Sequence, residues 1–151
     1  MNLLKLETYF GDPQTLSLID EEIREDLERV NYWFNMLKNN NIDNSVLMGQ
    51  ALAELTGIGG ILCIVASFAE TARESIEGFT YGDIKGKHIK LYGSEKVKET
   101  AVSKEVKSDK QLTEYRGLSD KLTAYAKSCE YVCSKLQSLL GYYRELDMKG
   151  L

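Results

Sequence analysis

The chemistry-bearing residues of this chain concentrate in "YGDIKGKHIKLYGSEKVK", residues 81–98. Lys85, Lys87, Lys90, Lys96 and Lys98 stand there against Asp83 and Glu95, together with Tyr81, Tyr92 and the sole histidine, His88. Lysines neutralise phosphates and exposed rings stack on bases, so these are the ingredients of a contact for single-stranded nucleic acid. The same composition also suits a solvated connector between helices. Gly82, Gly86, Lys87 and His88 imitate a phosphate loop. That motif needs four residues between its glycines and a Ser or Thr after the lysine to hold magnesium. Here three residues intervene and His88 replaces the hydroxyl, so the motif is rejected.

Other reactive groups form no set. Cys129 and Cys133 sit one helical turn apart, but with Cys63 and His88 they are too scattered for the close Cys pairs of a zinc site. They read as small hydrophobes, and no metal or cofactor is expected. With one histidine and no nucleophile motif around Ser75 or Ser94, no catalytic set emerges and no enzyme activity is expected.

Charge is placed unevenly. The 151 residues carry a formal charge of −4. Residues 1–54 hold 4 basic and 10 acidic side chains, whereas residues 81–110 hold 8 and 5. An acidic half followed by a mildly basic one hints at a polyanionic partner or head-to-tail self-association. Three cysteines and no secretory leader point to a reduced, cytoplasmic setting. The uncharged run "LTGIGGILCIVASFA", residues 55–69, is shorter than the ~20 apolar residues of a spanning helix and has acidic flanks. It reads as a buried helix, with no membrane partner.

Three main helices must position these groups, which makes the expected fold all-α and a single domain over 1–151. Its parts are an acidic helical half (1–80), a basic Gly-rich connector (81–95) and a long C-terminal helical region (96–147). Ser17 is suited to cap the first helix, with Asp20, Glu21 and Glu22 in the first turn. Ile19, Ile23, Leu27, Val30, Phe34 and Leu37 then form one stripe, ended by "KNNNIDN". Ser45 is suited to cap a second helix reaching about Glu77. Gly49, Ala53, Gly57 and Gly60 lie along that helix, each glycine costing about 1 kcal/mol relative to alanine. Close approach of another helix would offset this.

A loop or small hairpin near 79–93 follows. The third helix carries Tyr115, Leu118, Leu122, Tyr125, Cys129, Val132, Leu136, Leu139, Tyr143 and Leu146 at alternating spacings of three and four, a heptad-patterned seam. A seam this long beside an apolar second helix predicts a bundle completed by homo-oligomerisation. Gly49, Ala53, Gly57, Gly60, Leu118, Leu122, Tyr125 and Leu136 are the expected interface.

The segment "KVKETAVSKEVKSDKQLTEYRGLSDKLTAYAKSCEYVCSKLQSLLGYYR", residues 96–144, resembles the C-terminal half of UvsY-type phage recombination mediators. In that family a Lys–Thr/Glu-led helix start is followed by a spaced Val, an Asp and a long helix closing with Arg. Lys98, Glu99, Val102, Val106, Asp109 and Arg144 occupy those places. "LERVNYWFNMLKNN", with Trp33, is similar to the family's opening helix. The resemblance covers about two thirds of the chain. It implies a ring-forming helical protein that binds single-stranded DNA and helps load a RecA-like recombinase onto strands coated by single-strand-binding protein. It also implies a DNA grip before and around the loop preceding the long helix. The matching residues are Arg73, Tyr81, Lys85, Lys87, His88, Lys90, Tyr92, Lys96 and Lys98. Two other roles stay open: a phage structural or adaptor protein, and a small inhibitor docking acidic residues 20–28 on a DNA-handling host protein.

Overall fold

The computed structural model describes residues 1–150, which fold into five α-helices and one 3-10 turn. α1 spans Leu3–Gly11, α2 Ser17–Lys38, α3 Ser45–Tyr92, α4 Glu99–Ser108 and α5 Lys110–Met148; the 3-10 turn is Pro13–Thr15. The sequence reading contained no counterpart of α1. It starts where the Asn2 side chain accepts the Lys5 N–H at 3.1 Å and buries Leu6 and Phe10.

Helix starts depart from expectation by one residue. Leu16 already has helical geometry because the Pro13–Thr15 turn feeds directly into α2, so Ser17 is the first helical residue and caps nothing. Asn44, not Ser45, caps α3 through its side-chain oxygen, which accepts the Leu47 N–H at 2.9 Å. Between these helices Asn40 takes the left-handed conformation (φ 57°), as a polar short side chain can.

α2, α3 and α5 form an antiparallel bundle. Ser119 of α5 lies opposite Glu70 of α3, and Cys133 opposite Thr56, so the two long helices run in opposite directions. α1 is tied in by Tyr115 of α5, whose hydroxyl donates to the Phe10 carbonyl at 3.1 Å. Ile19, Ile23, Val30, Leu55, Leu62, Val65, Leu122 and Leu136 are wholly buried in the shared core. Each such aliphatic side chain stabilises the fold by about 1.5–3 kcal/mol before entropy is counted.

The expected loop or hairpin near 79–93 is corrected: α3 runs unbroken through it, 48 residues in all. At ~1.5 Å per residue the helix is about 70 Å long. Gly78, Gly82 and Gly86 recur every four residues and face open space. The opposite side presents Ile76, Tyr81 and Ile84, which pack with Val97 on a second cluster built from Val102, Val106 and Leu112. That burial offsets the glycines' helix cost of about 1 kcal/mol each. The helix stops at Gly93, whose φ of 82° suits a residue without Cβ and whose N–H returns to the Ile89 carbonyl at 2.9 Å. The true connector is therefore residues 93–98. α4 then folds back over the end of α3, and Asp109 restarts the chain by accepting the Leu112 N–H at 2.9 Å.

The α5 seam also shifts. Leu112, Tyr115, Ser119, Leu122, Ala126, Cys129, Leu136 and Leu140 are the buried positions. They share Tyr115, Leu122, Cys129 and Leu136 with the expected seam; Ser119, Ala126 and Leu140 are buried in place of Leu118, Tyr125 and Leu139. Leu118, Tyr125 and Val132 are half-buried and Leu139 is exposed. Leu118 and Tyr125 flank the core partly buried, while Ser119 and Ala126 beside them take the buried positions.

Candidate nucleic-acid interface

The basic residues gather at one end of the molecule, around the last turns of α3, the 93–98 connector and α4. Arg73 is pinned by Glu70 at 2.5 Å and Glu77 at 2.6 Å on its own helix. The bond to Glu70 is the main cause holding its guanidinium pKa above the usual value, so its charge is fixed but already matched. Glu70 is held below the usual carboxylate range by Arg73 first and by the Ser119 hydroxyl second.

Three further expected residues are tied to α4. Lys85 pairs with Glu99 at 2.8 Å, and the Tyr81 hydroxyl donates to the same carboxylate. The Lys85 pair is the first cause that lowers the Glu99 pKa and raises that of Lys85. His88 is only 9% exposed; its Nε2 lies 2.8 Å from Glu105 and its ring tilts against Tyr92 at 5.8 Å. Tyr81, Lys85 and His88 thus tie α4 to the end of α3, Arg73 is matched within α3, and the polar groups of all four are already engaged.

The remaining expected residues are available. Lys87, Lys90, Lys96 and Lys98 are exposed, and Tyr92 is 58% exposed. Exposed Lys104, Lys107 and Lys110 extend the same end along α4 and into the start of α5. Of the eight lysines between 81 and 110, Lys85 alone is in an ion pair among the described residues. Glu99 and Glu105 are engaged and Asp109 caps α5, which leaves Asp83 and Glu95 as the uncommitted carboxylates of the segment. An acidic chain thereby presents a locally cationic end, and such a field raises the local concentration of a polyanion.

The expected oligomer residues fall into two groups. Ala53, Gly57 and Gly60 lie on the outward face of α3, exposed, with Gly49 half-buried beside them. Leu122 and Leu136 are wholly buried inside the chain, and the Tyr125 hydroxyl donates to Asn31 at 3.2 Å within it. With Leu118 packed on the same core, these four α5 residues serve the fold of the single chain. The outward face of α3 is otherwise uncharged from Ala53 to Thr71. An 18-residue window of α3 reaches a mean hydropathy of 1.9, with 39% of it buried in the bundle; by length and composition this helix is able to cross a membrane.

The three cysteines meet at a shallow groove of about 300 Å³ between α3 and α5, lined among others by Gly59, Gly60, Cys63, Cys129 and Cys133. Burial pushes the Cys129 thiol pKa up to about 11. Against this geometry, no protein-family model, curated protein or solved structure matches the chain.

Proposed function

We propose that this protein is a non-enzymatic, self-associating helical module that binds single-stranded DNA at the cationic end of α3 and α4. In this role it serves as a recombination mediator of the kind its C-terminal half resembles, helping a RecA-like recombinase onto strands covered by single-strand-binding protein. The observation that carries the reading is the set of four exposed lysines, 87, 90, 96 and 98, beside the exposed Tyr92 ring. Lysines without ion pairs release counterions when they meet phosphates, and a neighbouring ring accepts a base. The uncharged outward face of α3 supports self-association, which would repeat the lysine cluster and convert modest single contacts into avidity.

Oligo-dT anisotropy over a salt series tests it. Four lysines on a single strand give a slope of log affinity against log salt of about −2.8. Absence of binding at about 50 mM salt would overturn the reading. Self-association without binding favours instead an adaptor that uses α3 for assembly only.

A further inference from the structure

The outward face of α5 carries a second run of cations and rings, far from the basic end. Lys127, Tyr131, Lys135 and Tyr142 are all exposed, the two tyrosines by 63% and 58%. Steps of four, four and seven residues keep them within about a quarter turn of one another on a helix of 3.6 residues per turn. Lys135 Nζ sits 5.4 Å from the Tyr131 ring centroid. Tyr142 meets Tyr143 edge to face at 5.8 Å, and Tyr143 packs against the main core, so the outer ring is propped from within. Neither Lys127 nor Lys135 forms an ion pair among the described residues. Along this face no carboxylate falls between Asp120 and Glu145; Glu130 points about a quarter turn away, and Glu145 is paired with Lys149 at 3.3 Å.

We infer that this face is a second track for single-stranded nucleic acid, with Tyr131 and Tyr142 as stacking platforms and Lys127 and Lys135 as phosphate contacts. Unpaired lysines make the face complementary to a polyanion. Large exposed rings on the same strip add the one interaction that a single strand offers and a duplex withholds, the open face of a base. Nothing on the strip fixes the edge of a particular base, so recognition is sequence-tolerant. Tyr131 and Tyr142 are about 16 Å apart along the helix, the reach of about five stacked nucleotides. Tyr131 stands level with the stretch of α3 between Thr56 and Gly59, since Cys133 and Cys129 face those residues. Lys87 is then about 45 Å away along α3, too far for a short oligonucleotide to touch both tracks.

The inference rests on the nucleic-acid reading above, and the test separates the two. Binding of fluorescent dT8 and dT30 is measured at about 50 mM salt and over a salt series. The proteins are wild type, Tyr131→Ala with Tyr142→Ala, Lys127→Ala with Lys135→Ala, and Lys87→Ala with Lys90→Ala. Helicity and mass are checked for each, and the substituted side chains are all exposed. The double tyrosine variant is expected to bind dT30 at least about 5-fold more weakly. The lysine pair on α5 should flatten the salt slope by about 1.4. Wild type should gain affinity from dT8 to dT30, and either α5 variant should lose that gain.

Unchanged dT30 affinity and slope in both α5 variants overturns the second track while leaving the basic end in place. A fall in mass with unchanged binding per chain also overturns it, by making the strip a subunit contact. Loss of binding in the α5 variants with none in Lys87→Ala, Lys90→Ala supports the track and removes the basic end as the site. No binding by wild type removes both readings.

Discussion

Gly59 of α3 faces Cys129 of α5 so closely that a Cβ built on the glycine would lie 2.8 Å from the cysteine Cβ. No other glycine of the chain has a neighbour within 4 Å of such a Cβ, and the neighbouring atom here belongs to a buried side chain whose position is set by its backbone. Gly59→Ala should therefore destabilise the protein by about 1–3 kcal/mol, the usual cost of overfilling a packed core. A denaturant midpoint equal to that of wild type would show that the helices separate without penalty.

Gly57, on the opposite side of the same helix, and Gly60, exposed at the edge of the α3–α5 groove, meet nothing within 4 Å. In a lone chain Gly57→Ala should stabilise the helix by about 1 kcal/mol through propensity. Gly57→Leu with Gly60→Leu puts bulk on the face proposed for self-association. Light scattering should then report a smaller mass than wild type with helicity intact. The same mass in both would remove this face as the contact.

Glu54 gathers Arg29 at 2.5 and 2.8 Å and the Trp33 indole N–H at 2.7 Å, joining α2 to α3. The Arg29 bond is the largest cause depressing its pKa, opposed by burial and aided by Trp33. A carboxylate with a depressed folded-state pKa contributes stability that is fully present above its unfolded value near 4.5 and is lost as pH falls through the folded value. Glu54→Gln should accordingly lower stability by about 1 kcal/mol at pH 7. The gap from wild type should narrow below about pH 4 as the wild-type carboxylate protonates. Melting curves at pH 7 and pH 3 check this, and a gap independent of pH contradicts it.

Thiol reactivity offers a direct view of the packing. Cys63 is exposed, whereas Cys129 is 1% exposed with its pKa pushed up to about 11 by burial. Only thiolates alkylate readily, so brief treatment at about pH 8 should modify Cys63 and spare Cys129 until denaturant is added. Equal labelling of both in peptide maps would place α5 differently against α3.

α4 is held by a small cluster of its own and by two carboxylates, not by the main core. It should open in a sub-global step, with amides of residues 99–108 exchanging before those of residues 55–69. Val102→Ala, at a wholly buried site, should speed that exchange by about 10-fold if it costs α4 docking about 1.4 kcal/mol. Its effect on the central bundle should be small. Simultaneous exchange of both segments would instead make the molecule one cooperative unit.

Much of the architecture was legible in local patterns. Ile19, Ile23, Leu27 and Val30 repeat at the helical period and are buried, and the three asparagines after Lys38 do end α2. Four of the expected seam residues of α5 are buried because a heptad fixes most of a helix face. Eight of the nine residues expected at the nucleic-acid site, Tyr81 to Lys98, lie on the end of α3 and the connector after it, because they are sequence neighbours, whereas Arg73 stands about 28 Å back along α3 from Tyr92. Their division into committed and available groups was hidden. Glu99 and Glu105 reach back from α4 to Lys85 and His88 across 14 and 17 residues of chain, a pairing that no local spacing records.

By itself the sequence determined an all-α chain, its three principal helices and the excess of cations between residues 81 and 110, because helical period and formal charge are properties of near neighbours. Tertiary structure decided three things that depend on distant partners. It carried α3 through Gly78, Gly82 and Gly86, since Val102, Val106 and Leu112 bury the far side of that stretch. It shifted the flank of the α5 seam from Leu118 and Tyr125 to Ser119 and Ala126, the positions that face the rest of the chain once α5 packs along α3. It also chose which cations remain uncompensated, since an ion pair forms where two side chains meet in space, whatever their separation along the chain.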